Sequence, residues 1–182
     1  KTLNGIRSNA ETTPPPDGGG SNNIGGKIMP PQSAIGVQQS DGTIKAIMLY
    51  NDDRRSPAHV ILSGWYNSQK KAEELLSLGH LSRLGEKIAP EFGEHHSFDK
   101  PQPNTVIAYH RDRGDAVEPY FVYKNLDDFA ARCYYDMAVT CLHVWVDGTW
   151  LSRFDRRDKK WMRFEIIILD PPEDEYEKND SF

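Results

Sequence analysis

The amino-acid sequence predicts an α+β fold: a mainly antiparallel sheet built from hairpins and a C-terminal meander, with about three helices packed on one side. Three observations carry this expectation. Asp147-Gly148 sits between two runs rich in β-branched and aromatic residues, the strongest short-range signal for a two-residue hairpin with a type I′ turn. Asp41-Gly42 separates Ser33–Gln39 from Ile44–Tyr50 in a similar way. Helical patterns are few and do not alternate with strands one by one, so local hairpins rather than parallel crossover units dominate the order.

Residues 1–32 contain Pro14, Pro15 and Pro16, then Gly18, Gly19 and Gly20, with few side chains to bury. Such a segment forms no core alone and becomes ordered mainly when another surface holds it, so it reads as an extended Pro/Gly-rich arm. The single domain is expected over residues 33–170. After the first hairpin comes the polar loop Asn51–Arg55, with Ser56-Pro57 as a helix start. Val60, Ile61, Gly64 and Trp65 give a helical stripe. Asn67-Ser68 recaps a second helix lined by Ala72, Leu75 and Leu76, and Gly79 closes it in the position that favours a left-handed residue.

His80–Ile88 reads as a short turn of helix and residues 89–104 as loop. Thr105–His110 is expected as a strand, Arg111–Asp115 as a turn, and Pro119–Tyr123 as another strand. Asn125 caps a third helix with Leu126, Phe129, Ala130, Cys133 and Met137 on one face, and Asp127 and Asp128 in the first turn, where the helix dipole favours them.

The Asp147-Gly148 turn sets a register in which Val146 faces Thr149, Trp145 faces Trp150, Val144 faces Leu151 and His143 faces Ser152. A third strand follows, with Met162, Phe164, Ile166 and Ile168 alternating with Trp161, Arg163 and Glu165, and Ile166–Leu169 apolar on both sides. This meander is expected at the centre of the fold. Residues 171–182 form an acidic tail ending in Phe182.

Composition narrows the function classes. The 182 residues carry a net charge of −5 with both signs interspersed, so nucleic-acid binding is disfavoured. Two cysteines, Cys133 and Cys141, lack metal-type spacing and suggest no reliance on disulfides. No apolar run reaches the roughly 18 residues of a membrane span and no signal-peptide pattern opens the chain, so a soluble protein without membrane association is expected. The chain starts at Lys1 rather than Met, so a trimmed or processed product is expected.

Several residues bear chemistry. His95, His96 and Asp99, near Glu91 and Glu94, could ligate a metal, but adjacent histidines in a Pro-flanked loop rarely present both rings to one ion. Cys133 with His143 or His110 could form a nucleophile–base pair, although its place on the apolar helix face suits a small hydrophobe. Asp112, Asp115, Glu118, Asp127 and Asp128 sit where turns and helix starts account for them. Arg113-Gly114-Asp115 spells an adhesion tripeptide that chance supplies often. Basic pairs occur at Arg54-Arg55 and Lys70-Lys71. In Arg153–Lys160, Arg156 and Arg157 lie among Trp150, Phe154 and Trp161, an aromatic–basic mixture that could bind single strands by stacking and phosphate contacts, but Asp155 and Asp158 offset its charge and favour a solvated hairpin tip.

Ile35-Gly36, Asp41-Gly42-Thr43, Leu78–Gly85, His96–Asp99 and Arg111–Asp115 together resemble, in order and spacing, a family of small proteins predicted in tailed-phage and prophage genomes. The likeness covers about residues 33–115. The family usually carries a Cys/His-Trp-Asp-Gly-Tyr-Pro run after the second strand, whereas this chain reads Leu49-Tyr50-Asn51-Asp52-Asp53-Arg54-Arg55, and the arm is not a family feature.

The resemblance implies phage origin more than mechanism. The expectation is a non-enzymatic virion component, capsid-decorating or tail-associated, with no cofactor and no metal, located in the virion or host cytoplasm. Its partners would be other copies of itself or other virion proteins, engaged through the arm, Trp150, Phe154, Arg156, Arg157, Trp161 and Phe182. An early phage protein that inhibits a host factor is the alternative. A small metal-dependent hydrolase or nuclease using the His95/His96/Asp99 loop is the weaker one.

Overall fold

The computed structural model describes residues 23–24, 27–28, 32–52, 58–118, 120–157 and 160–163. Pro14 to Gly20, Ser56-Pro57, Ile166–Leu169 and the tail to Phe182 lie outside these residues. Within the Pro/Gly-rich segment, β1 (Asn23–Ile24) and β2 (Lys27–Ile28) pair antiparallel as a separate two-stranded ladder.

The main sheet has eight strands: β3 (Ser33–Gln38), β4 (Ile44–Asn51), β5 (Leu81–Arg83), β6 (Ile107–Ala108), β7 (Phe121–Tyr123), β8 (Cys141–Val146), β9 (Thr149–Arg153) and β10 (Met162–Arg163). Their order is β10-β9-β8-β3-β4-β5-β6, with β7 also paired to β4. The helices are α1 (Ala58–Trp65), α2 (Gln69–Ser77) and α3 (Leu126–Tyr135), and a π-helical turn spans Tyr109–Arg113. The α+β class therefore holds, with a mixed sheet: β3 runs parallel to β8 and β4 parallel to β5, while the remaining strand pairs are antiparallel.

Both Asp-Gly hairpins form. Asp147 (φ 47°) and Gly148 (φ 79°) take the two positive φ angles a type I′ turn requires, and the register is as expected from Val146↔Thr149 out to His143↔Ser152. Trp145 and Trp150 meet edge to face at 5.6 Å. The meander is not central, however. It forms one side of the sheet, and the centre is β3–β4, whose residues are almost continuously buried.

That burial explains a second correction. Ile35, Val37, Ile47 and Leu49 pack with α1 and α2, whereas Ala34, Ile44, Ala46 and Met48 pack with Phe129, Ala130 and Cys133 of α3. The helices thus cover both faces of the sheet rather than one. A central hairpin apolar in both parities needs cover on both sides, since each uncovered face would leave apolar area in water at about 25 cal/mol per Å².

Local signals hold where backbone chemistry dictates them. Ser68 Oγ accepts from Lys71 N–H at the start of α2, and Gly79 (φ 71°) follows its end. At the start of α3 Asn125 Oδ1 accepts from Asp128 N–H at 2.9 Å, and Asp128 Oδ2 accepts from the N–H of Lys124, the residue before the cap, at 2.9 Å. The buried face of α1 is Ala58, Ile61 and Leu62, while Val60 and Trp65 are exposed, so the expected stripe was rotated by one residue.

His80–Ile88 is not helical: Leu81–Arg83 joins the sheet beside β4. Thr105–His110 remains in the main sheet only over Ile107–Ala108. Asp112 Oδ2 accepts from Ala108 N–H at 2.7 Å and Arg111 donates to the carbonyls of Ile88 and Val106, which turns the chain back on itself. Gln32, counted with the arm by composition, belongs to the domain. Its N–H donates to the Leu49 carbonyl, and its own carbonyl accepts from Thr140 and Cys141.

Candidate functional site

The loop between β5 and β6 is tied at its base, where Lys87 and Thr105 form a parallel bridge. Inside it, Gln102 Oε1 accepts from Glu91 N–H at 2.8 Å and Gln102 N–H donates to His96 Nδ1 at 3.1 Å. His96 Nε2 lies 3.3 Å from Asp112 Oδ1, with both side chains 3% exposed. Burial works to raise the Asp112 carboxyl, but Arg111, the Ala108 N–H and His96 together hold it below the usual carboxylate range. His95 instead sits 3.3 Å from Ser97 Oγ, and Asp99 is exposed. The three residues weighed as metal ligands therefore diverge, and among the described residues no group of three or more His, Cys, Asp or Glu converges as a metal site.

This packing joins the loop after β5 to the π-helical turn and to the start of β5. Phe98 N–H donates to the Asp112 carbonyl at 2.9 Å, and Tyr109 N–H donates to the His80 carbonyl at 3.1 Å. Arg113 lies over the rings of Tyr109 (4.4 Å) and Phe98 (5.1 Å) and bonds Asp115 through Nε at 2.8 Å. Arg113-Gly114-Asp115 is thus engaged within its own chain.

The nucleophile–base pairing is excluded by topology. Cys133 lies in the cluster under α3, its Sγ 3.4 Å from Tyr123 Oη, and burial pushes its thiol up to about 12. His143 occupies the opposite face of β8, in the same parity as Trp145, and its Nδ1 lies 2.8 Å from Ser152 Oγ. Burial, with a lesser contribution from His59, lowers His143 to about 3. His110 Nδ1 bonds the Asp115 carbonyl at 2.7 Å. Glu118 pairs with His80, and Asp127 is an exposed residue of the first turn of α3.

The expected contact residues at the meander separate. Trp150 is an interior side chain, 2% exposed, and its indole N–H donates to the Tyr66 carbonyl at 2.9 Å, so it offers no surface to a partner. Trp161 stacks on Phe129 at 6.3 Å and helps to cover the α3 cluster. Phe154 is half-buried, edge-on to His59 at 5.3 Å. Arg157 is exposed and paired with Asp155. Phe154 and Arg156 line a shallow cleft of about 340 Å³ with Tyr134, Val139 and Thr140.

Two further features were not anticipated. Val117 (65% exposed), Tyr120 and Val122 (52%) present apolar and aromatic surface beside β7, a three-residue strand paired only with β4 among the described residues. The second is a cleft of about 240 Å³ at the carboxyl ends of β4 and β5, where Asn51 and Arg83 are register partners. Ile61, Leu84, Pro101 and Pro103 give it apolar lining, while Arg83, Glu86 and Asn104 add polar groups. Asp52 borders it with its carboxylate already committed: Oδ2 accepts from Ser33 Oγ at 2.6 Å and Oδ1 from Ala58 N–H at 3.1 Å. Gly85 lets the rim close, because a Cβ there would lie 2.6 Å from the Asn104 carbonyl oxygen.

No helix among the described residues is long and apolar enough to cross a membrane. No protein-family model, curated protein or solved structure matches the chain.

Proposed function

We propose that the protein works without catalysis, by binding other proteins within an assembly, as a phage-type virion component of the capsid-decorating or tail-associated kind. The observation that carries the binding part of this reading is the exposed Val122 on β7, a strand paired only with β4 among the described residues, with the exposed Val117 and Tyr120 in the segment before it. Exposed apolar side chains beside a strand with one unpaired edge favour association, because contact removes apolar area from water and pairs open backbone groups together. The phage attribution rests on the resemblance over residues 33–115. Other copies of the chain or other virion proteins are the partners this reading names.

Light scattering on the intact chain, on a chain lacking residues 1–31 and on Val122→Lys tests it. The truncation spares Gln32, which the sheet requires. An assembly that breaks down in either variant is expected. Monomers in all three, with no retention on purified virion proteins, would sink the reading and bring forward the alternative of an early phage protein that binds a host factor.

A further inference from the structure

We propose that the cleft at the carboxyl ends of β4 and β5 binds a small zwitterion of the amino-acid type. Its carboxylate would be taken by Arg83, its ammonium by Glu86, and its apolar side chain would lie on Ile61 and Leu84. The cleft sits where two adjacent parallel strands end, between α1 and the two ends of the loop that joins β5 to β6. Its volume of about 240 Å³ falls below the ~300–1,000 Å³ of pockets for drug-sized ligands, which limits the occupant to a small molecule.

Charge selects the class. Among the described residues, Arg83, Glu86 and Asp52 are the ionisable side chains lining the cleft, and the Asp52 carboxylate is held by Ser33 and the Ala58 N–H. Among the described residues, Arg83 and Glu86 form no ion pair with each other or with any other group. Two opposite charges that line one concavity without meeting are complemented by a ligand carrying both signs. A plain anion would meet Glu86, and a plain cation would meet Arg83. The rim is firm: Tyr66 Oη donates to the Gly85 carbonyl at 2.8 Å, and Asn104, held at φ 56°, accepts from Lys87 N–H at 2.9 Å. A preformed rim lowers the ordering cost of binding so small a ligand.

The test is calorimetric titration of the full chain with L-leucine, N-acetyl-L-leucine, L-leucinamide and inorganic phosphate. Arg83→Gln and Glu86→Gln serve as variants, with circular dichroism to check their fold. Leucine is expected to bind, and blocking either end to weaken it about tenfold or more, the loss typical when a charge-assisted bond is removed. Arg83→Gln should abolish the advantage of leucine over leucinamide, and Glu86→Gln its advantage over N-acetyl-leucine. Equal binding of all three organic ligands, tighter binding of phosphate, or no heat from leucine at about 10 mM, a concentration above the millimolar Kd expected of a weak site, would each overturn the proposal.

Discussion

His80 accepts the backbone N–H of Met48 through Nδ1 at 3.2 Å, and its Nε2 faces Glu118 Oε2 at 3.2 Å. Along this edge of β4, the β7 ladder reaches Ala46 and the β5 ladder begins at Leu49, so the imidazole satisfies an N–H that lies between the two ladders. With Nδ1 accepting, the proton of the neutral ring resides on Nε2 and points to the carboxylate. Protonating Nδ1 would break the bond to Met48 inside the protein. Burial lowers the group to about 4, and the Glu118 carboxylate does not reverse this.

The pH dependence of stability follows from that neutral ring. Unfolded, His80 takes up a proton near 6.5, whereas folded it does so only near 4. Below about 6.5 the unfolded chain therefore binds more protons, and stability present above that pH is lost as pH falls toward 4. His143, lowered to about 3, acts in the same direction. Urea unfolding midpoints measured from pH 8 to pH 4 should fall, by on the order of a few kcal/mol in stability. His80→Gln keeps an acceptor for Met48 but does not titrate, so its decline should be shallower. Identical slopes for the two proteins would refute the assignment.

Trp150 joins the meander to the segment after α1 through its indole bond to the Tyr66 carbonyl. Trp150→Phe keeps an aromatic ring against Trp145 but leaves that buried carbonyl without its donor. A loss of about 1–3 kcal/mol is expected, read as a lowered thermal midpoint with an unchanged circular dichroism spectrum at low temperature.

Gly85 is required by close approach, with Asn104 and Thr105 backbone atoms where a Cβ would stand. The backbone cannot yield as a side-chain tip would. Gly85→Ala should destabilise the fold by about 1–3 kcal/mol, whereas Gly42→Ala, with open space around it but a φ of 84°, isolates the cost of the left-handed backbone alone. Chemical denaturation of the two variants separates crowding from backbone strain.

Thiol chemistry distinguishes a packed cysteine from a nucleophile. Burial raises both Cys133 and Cys141, the former to about 12, so thiolate is scarce at neutral pH. Ellman's reagent should react with Cys133 only as fast as the protein opens, and urea should release it. Rapid reaction of both thiols in native buffer would contradict the buried placement of Cys133, since only Cys141 is partly exposed.

Legibility differed by the range over which each feature is decided. The Trp145–Trp150 register, the Ser68 and Asn125 caps and the left-handed Gly79 are encoded within a few residues, and each was readable. The π-helical turn was not. It arises because Asp112 and Arg111 draw in Ala108, Val106 and Ile88, and that competition leaves no periodic trace. The same holds for the cleft, whose lining comes from α1, the end of β4 and both ends of the loop joining β5 to β6.

By itself the amino-acid sequence determined the α+β class, the two Asp-Gly hairpins and the Ser68 and Asn125 helix caps, because turn geometry and side-chain period act on neighbouring residues. Tertiary structure alone decided that β3 and β4 form the centre, that α3 covers the opposite face from α1 and α2, and that Trp150 turns inward. It also brought Arg83 and Glu86 to one concavity. These outcomes depend on parallel pairings, β3 with β8 and β4 with β5, that join segments far apart in the chain. Apolar surface area is indifferent to sequence separation, so the choice among distant partners is made only when the whole core packs.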